Sequence, residues 1–226
     1  MDRREFFKVS GAGLMTLLLS GCGLSALAEG TGASKQTGSA GAVSGGKKMN
    51  IVVIAGSPHN EQESTSKYLA QQFMRGAQEA GHDVFRFNAA LEDIHGCLGC
   101  DACHMDGPCV QQDAIETKLI QRLVDCDMIV LNTPLYYYGP SAQTKMVIDR
   151  FYSRTGRLTG KKSMLMATAY NSADWTMDAL VTYYDTLVRY MKWTDAGKVL
   201  AIGCGARSLV EQSQFGQQAY SIGKNV

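Results

Sequence analysis

Apolar side chains recur along this chain in two alternating rhythms. Asn50–Ala55 is an unbroken run rich in β-branched residues, the mark of a strand buried on both faces. Gly56-Ser57-Pro58 breaks it. Ser64–Ala80 is spaced as a helix, with Leu69, Phe73 and Ala77 four apart on one face, and Gly81 stops it. Asp83–Phe87 predicts a second, shorter strand, and a cysteine-rich loop follows. Ala114–Val124 predicts a helix with Ile115, Leu119, Ile120 and Leu123 on one side. Met128–Asn132 predicts a third strand, Ala142–Tyr152 a helix and Ser163–Ala169 a fourth strand. Trp175–Met191 predicts a long helix, Gly197–Ile202 a fifth strand, and Ser213–Ile222 a closing helix.

Strands alternating with helices predict an α/β domain, its parallel sheet covered on both faces. Right-handed crossovers leave few topologies at this size. The expectation is a flavodoxin-like three-layer sandwich, with five parallel strands in the order 2-1-3-4-5. Such sheets bind ligands at the carboxyl ends of their strands, beside the first strand. The loops after the first, third and fourth strands are therefore the ones to read for chemistry.

Composition narrows the function classes. The chain has 226 residues, of which 45% are hydrophobic and 19% charged, which fits a globular core and excludes disorder. Its 22 basic and 21 acidic side chains nearly cancel, which excludes a strongly basic nucleic-acid binder.

The first 48 residues follow another logic. Arg3-Arg4 and Phe6-Phe7-Lys8 precede an apolar run, Val9–Leu19. That run is too short for a bilayer, which takes about 20 residues, and suits an export signal over residues 1–21. Arg3-Arg4 resembles the twin-arginine type of signal, with Asp2 where that motif has Ser or Thr. Leu19-Ser20-Gly21-Cys22 resembles a bacterial lipobox, which implies cleavage before Cys22 and lipid on its thiol. The other reading is an uncleaved or conventionally cleaved leader with an incidental Cys22. Residues 22–48 are Gly/Ser-rich from Glu29 onward and read as a flexible tether to a domain over residues 49–226. The expected location is the extracytoplasmic side of a membrane, in a periplasm or at a cell surface, anchored through Cys22. Gly21-Cys22-Gly23-Leu24-Ser25-Ala26 matches a dinucleotide fingerprint but has no βαβ context, so it is set aside.

The first loop runs Gly56-Ser57-Pro58-His59-Asn60 and leads to Ser64-Thr65-Ser66 at a helix start. Hydroxyls beside free helical N–H groups suit an anion such as a terminal phosphate. Plain N-capping by Ser64 is the alternative. The third loop carries Pro134-Leu135-Tyr136-Tyr137-Tyr138. Aromatic rings beside a cleft suit a flat heterocycle, or they pack an interface or the next helix.

Together Gly56-Ser57-Pro58, Thr65, Pro134-Leu135-Tyr136, Ser141–Lys145 and Asp149-Arg150-Phe151 resemble the flavodoxin-like NAD(P)H-dependent FMN reductase family. The resemblance implies that Ser57, His59, Ser64, Thr65 and Ser66 surround the FMN phosphate. His59 stands where an Arg is usual in that family. Pro134, Leu135, Tyr136, Tyr137 and Tyr138 would line the flavin ring, with Ala169 and Tyr170 on its other side. Lys145, Asp149 and Arg150 would be structural.

Four cysteines, Cys97, Cys100, Cys103 and Cys109, crowd a loop containing Gly96, Gly99 and Gly107. Four thiolates suit the four corners of an Fe4S4 cluster, and their softness favours iron–sulfur or zinc. The spacing resembles the iron–sulfur flavoprotein branch of the same fold family. Disulfides, favoured outside the cytoplasm, and zinc stay open as alternatives. Cys126 and Cys204 read as small buried residues and His104 as solvent-exposed.

The resulting expectation is an FMN-dependent oxidoreductase. It would move electrons from NAD(P)H or a redox partner to a quinone, a protein or a small molecule. An electron carrier without its own substrate and a non-redox partner-binding module are the alternatives. The resemblance also implies a homodimer, and no catalytic acid or base stands out.

Overall fold

The computed structural model describes residues 47–226; the leader, Cys22 and most of the tether lie outside the described residues. The first half of the domain runs β1 (Asn50–Ala55), α1 (Thr65–Glu79), β2 (Asp83–Asn88), α2 (Ile120–Asp125), β3 (Met128–Tyr136), β4 (Gly139–Pro140) and α3 (Ala142–Arg150). The second half runs β5 (Lys162–Thr168), α4 (Asp178–Tyr190), β6 (Thr194–Ala201), α5 (Arg207–Glu211) and α6 (Phe215–Asn225). Among the described residues no helix is long and apolar enough to cross a membrane.

The sheet order is β2-β1-β3-β5-β6, all parallel, as the strand pattern predicts. A sixth, two-residue strand, β4, folds back antiparallel on the end of β3. β3 outruns its predicted limit at Asn132 and continues through Pro134 to Tyr136. Pro134 is tolerated because it lies beyond the last β1 pair, Ala55 with Asn132. β6 starts at Thr194, earlier than Gly197, because its polar first residues sit at the sheet edge.

One core layer packs Val52, Ile54, Ile129, Leu131 and Leu165 under α2, α3 and α4. The other packs Ile51, Val53, Val130, Met164 and Met166 under α1 and α6. Strands apolar on both faces therefore read as unbroken runs. Helices α1 and α6 approach backbone to backbone. A Cβ at Gly76 would lie 2.2 Å from the Tyr220 carbonyl oxygen, and one at Gly223 would lie 2.2 Å from that of Phe73. Only glycine fits at this crossing.

The segment before α2 opens with a π-helical turn, Ile115–Leu119. Asp113 starts it, its Oδ1 accepting from the amides of Ile115 (3.1 Å) and Glu116 (3.2 Å). A 3₁₀ turn, Asp174–Met177, replaces the first turn of the predicted Trp175–Met191 helix.

Candidate functional site

The carboxyl ends of β1, β3 and β5 come together at one cleft. The Gly56 amide donates to the Asn132 carbonyl (2.9 Å), and the Gly56 carbonyl accepts from Ser141 Oγ (2.8 Å). This ties the loop after β1 to the start of α3. Ser64 caps α1, accepting from the Lys67 amide at 3.1 Å. Its hydroxyl also donates to Ser57 Oγ (2.9 Å) and lies 3.4 Å from Ser66 Oγ. Three buried hydroxyls are thus stacked under the helix start.

Lys67 is wholly buried beneath the same loop. Its Nζ donates to the His59 carbonyl at 2.6 Å and lies 3.8 Å from Glu61. Burial pulls this ammonium below the ordinary lysine range, with Glu61 opposing and Arg86 adding to the shift. Glu61 is gripped from the other side by Arg86, at 2.7 and 3.1 Å. A network of charges therefore props the loop from below. Thr65 Oγ1 donates to Thr168 Oγ1 (2.9 Å), stitching α1 to the end of β5.

The cleft has a volume of about 440 Å³. Ser57, His59 and Thr65 line its polar end; Pro134, Leu135 and Tyr136 form one wall, and Ala169 and Tyr170 another. Ser64 and Ser66 do not line it and stand behind as buried support. Tyr137 and Tyr138 are also outside it. They form the tip of a two-residue hairpin closed by the Tyr136–Gly139 pair. Both have positive φ, 47° and 64°, as a primed hairpin turn demands. Tyr137 is fully exposed, and the Tyr138 ring sits 5.3 Å from that of Trp175. Glu63, Thr168, Cys204 and Gly205 also line the cleft and escaped the sequence reading. Thr168 and Cys204 are small buried residues at or beyond strand ends, indistinguishable in sequence from core.

A flavin mononucleotide matches this lining. The α1 N-terminus with its hydroxyls suits the phosphate. The apolar and aromatic walls suit the ring. Asn132 is wholly buried with neither side-chain amide atom partnered, an unmet hydrogen-bonding demand at this end of the sheet.

The thiol loop lies between β2 and α2. All six cysteines of the described residues are free. Cys97, Cys100, Cys103 and Cys109 line one small cavity of about 20 Å³, together with Leu98, Asp101 and Tyr152. That is room for little more than one water. Among the described residues no three Cys, His, Asp or Glu side chains are already drawn to metal-binding distance. The donor set suits a soft metal centre. Gly99, Asp101, His104 and Met105 all have positive φ and divide the loop into short turns. His104 is exposed, 3.8 Å from Asp101. Tyr152 donates to Asp101 Oδ1 at 2.6 Å, and that bond, with burial, pushes its phenol up to about 12. Cys126 and Cys204 lie apart and buried; burial raises both thiols, Cys126 to about 11.

A wider cleft of about 630 Å³ opens at the other end of β1 and β2, around Asn50, His82, Phe85 and Arg122. No thiol set or helix start of the kind above accompanies it.

Comparison with known proteins agrees with this geometry. The profile of the family described as NADPH-dependent FMN reductase matches residues 49–205. An iron-sulfur flavoprotein from Methanocaldococcus jannaschii is 30% identical over 102 residues, covering 45% of this chain and 51% of that protein. One from Archaeoglobus fulgidus is 34% identical over 116 residues, covering 50% of this chain and 51% of its own. The chain thus spans about half the length of the curated relatives it matches. Among solved structures, the azoreductase AzrA superimposes with a TM-score of 0.61 at 15% identity, covering 78% of this chain and 100% of that one. An NAD(P)H:quinone oxidoreductase from Methanothermobacter marburgensis gives 0.60 at 18% identity, covering 79% and 96%. These two likenesses establish the fold. With the profile match across most of the chain, they lead to one assignment: the chain belongs to the NADPH-dependent FMN reductase family.

Proposed function

We propose that this protein is an FMN-dependent NAD(P)H oxidoreductase, with an Fe4S4 cluster on the thiol loop, passing electrons to a quinone, protein or small-molecule acceptor. One observation carries the reading: the hydroxyl-bearing start of α1 and the walls from β3 and β5 meet in a single cleft. Bound FMN would supply the redox chemistry, hydride acceptance from a nicotinamide and release of electrons singly or in pairs.

The chain's own part is binding and exclusion. Thr65 and the α1 amides hold the phosphate end, with Ser64 and Ser66 fixing the local backbone. Pro134, Leu135 and Tyr136 would line the ring and shield it from water, with Tyr170 at another wall of the cleft. Cys97, Cys100, Cys103 and Cys109 would each donate one thiolate to the cluster. The iron-sulfur flavoproteins of Methanocaldococcus jannaschii and Archaeoglobus fulgidus support that part by name. Residues 1–22 support placement outside the cytoplasm on a lipid anchor at Cys22.

The test uses the full chain purified without oxygen. A flavin spectrum, iron and acid-labile sulfide are expected, with bleaching on stopped-flow mixing with NADPH. Bound flavin that NADPH leaves oxidised makes the protein an electron carrier fed by another protein. A colourless protein that takes up no FMN on reconstitution overturns the redox reading.

A further inference from the structure

Arg150 is the largest fully buried side chain of the described residues, and its guanidinium hydrogen bonds all lead to the thiol loop. It closes α3, whose first residue follows the Ser141 cap at the cleft. One guanidinium nitrogen donates to the His95 carbonyl (3.1 Å) and to Asp113 Oδ2 (2.8 Å). The other donates to the Gln111 carbonyl (3.2 Å). His95 and Gln111 bracket the segment that holds all four cysteines. Asp113 adds a second hold on the same end, accepting from the His95 amide at 2.8 Å. One planar fork therefore ties the entry strand of the loop to its exit strand. A lysine would lack the second nitrogen of this fork and would reach the three acceptors only from one point charge on a flexible stem.

The next turns of chain continue the grip. Tyr152 bonds Asp101, which lies between Cys100 and Cys103. Arg154 donates to the Gly107 carbonyl, two residues before Cys109, and pairs with Glu116 at 3.1 Å. Positions 150, 152 and 154 thus hold the loop at its base, its middle and its far side. Gln111 Nε2 closes the base again on the Gly96 carbonyl at 2.8 Å.

We propose that Arg150 is the positioning residue of the thiol loop, with Tyr152 and Arg154 as its auxiliaries: they fix the loop's ends so that the four cysteines close on one soft metal centre as a unit. This rests on the cluster reading above. The fixed base explains how a loop with four left-handed residues keeps its thiols on one cavity. It also gives α3 a second role, since one end is fastened to Gly56 at the cleft and the other to the loop.

The experiment reconstitutes the full chain anaerobically with FMN, ferrous iron and sulfide, then measures iron retained per bound FMN after a fixed chelator challenge. FMN is the internal control for folding. Losing partners that orient metal ligands lowers metal affinity about tenfold to a hundredfold. Arg150→Gln should therefore lose iron per FMN relative to wild type, with Arg150→Lys giving no full rescue. Tyr152→Phe removes only the hydroxyl from a side chain at the surface, so it should fold. It should still lower retained iron and alter the electron paramagnetic resonance of the reduced centre. If Arg150→Gln fails to bind FMN, the Asp113→Asn/Arg150→Gln pair, which leaves no buried charge unmatched, and Tyr152→Phe decide. Wild-type iron per FMN in those variants overturns the clamp and leaves the cluster reading standing. A wild type that retains no iron, though it binds FMN, overturns the cluster reading and the clamp with it.

Discussion

Ser141 Oγ donates to the Gly56 carbonyl at 2.8 Å, fastening the first residue after β1 to the cap of α3. The same hydroxyl caps its helix by accepting from the Thr144 amide at 3.3 Å. A Cβ at residue 56 would lie 2.6 Å from Ser141 Oγ and 1.8 Å from Thr144 Oγ1. Gly56→Ala should therefore destabilise the domain by about 1–3 kcal/mol, the usual cost of overpacking. It should also loosen FMN binding, because the loop that carries Ser57 moves with it. Denaturant unfolding and flavin titration of the variant check both. Unchanged values in both would mean that the two side chains swing away at no cost.

Tyr137 presents a different conflict. It holds a left-handed backbone with its ring in water, so nothing at the hairpin tip repays the strain. A left-handed residue costs about 1–2 kcal/mol, and glycine forfeits about half of the relief through its own entropy. Tyr137→Gly should raise stability by about 0.5–1 kcal/mol. Tyr138→Gly should gain less, since it also loses the contact with Trp175. Thermal melts of the two variants compare them. A destabilised Tyr137→Gly would show that the ring is held by contacts within the protein.

Much of this architecture was legible in advance. Ile51–Ala55 and Met128–Asn132 are buried on both faces, and that burial leaves unbroken apolar runs that sequence displays openly. Loops following such strands could be read for hydroxyls and rings, which brought Ser57, Thr65, Pro134, Tyr136 and Tyr170 to notice. β4 was not legible, because its two-residue turn uses tyrosines where glycine or asparagine is normal. Thr168 and Cys204 join the cleft only through the neighbours that the sheet supplies. Arg150 shows the same limit: its partners at positions 95, 111 and 113 are distant in sequence.

Acid should loosen the thiol loop. Burial would raise the Asp113 carboxyl, but the His95 and Glu116 amides and the Arg150 guanidinium outweigh it and hold it below the usual carboxylate range. Glu61 is likewise depressed, burial opposing and Arg86, Gln71 and Lys67 prevailing. A depressed folded value stabilises the protein fully above the unfolded value, about 4 for these groups. That stability is lost as pH falls through the folded values. The urea midpoint should be level down to about pH 5 and fall below about pH 4, and less steeply in Asp113→Asn. An equal slope in wild type and Asp113→Asn would remove Asp113 from the account.

The thiols should divide by environment. Cys97, Cys100, Cys103 and Cys109 are exposed or half-exposed, whereas Cys126 and Cys204 are buried. Burial holds both buried thiols protonated at neutral pH. A disulfide reagent added to metal-free protein should react quickly with the four loop thiols and slowly with Cys126 and Cys204. Reconstitution with iron and sulfide should protect the four. Fast reaction of Cys126, identified by mass, would contradict its burial.

The central claim is that the cleft at the ends of β1, β3 and β5 holds one FMN. Titrating the flavin-free full chain with FMN, and following flavin fluorescence, tests it most directly. Fluorescence should be quenched to a sharp end point at one FMN per chain, with weaker binding when Thr65→Val removes the hydroxyl at the α1 start. A titration with no end point, or one that Thr65→Val and Gly56→Ala leave unaltered, would contradict the account.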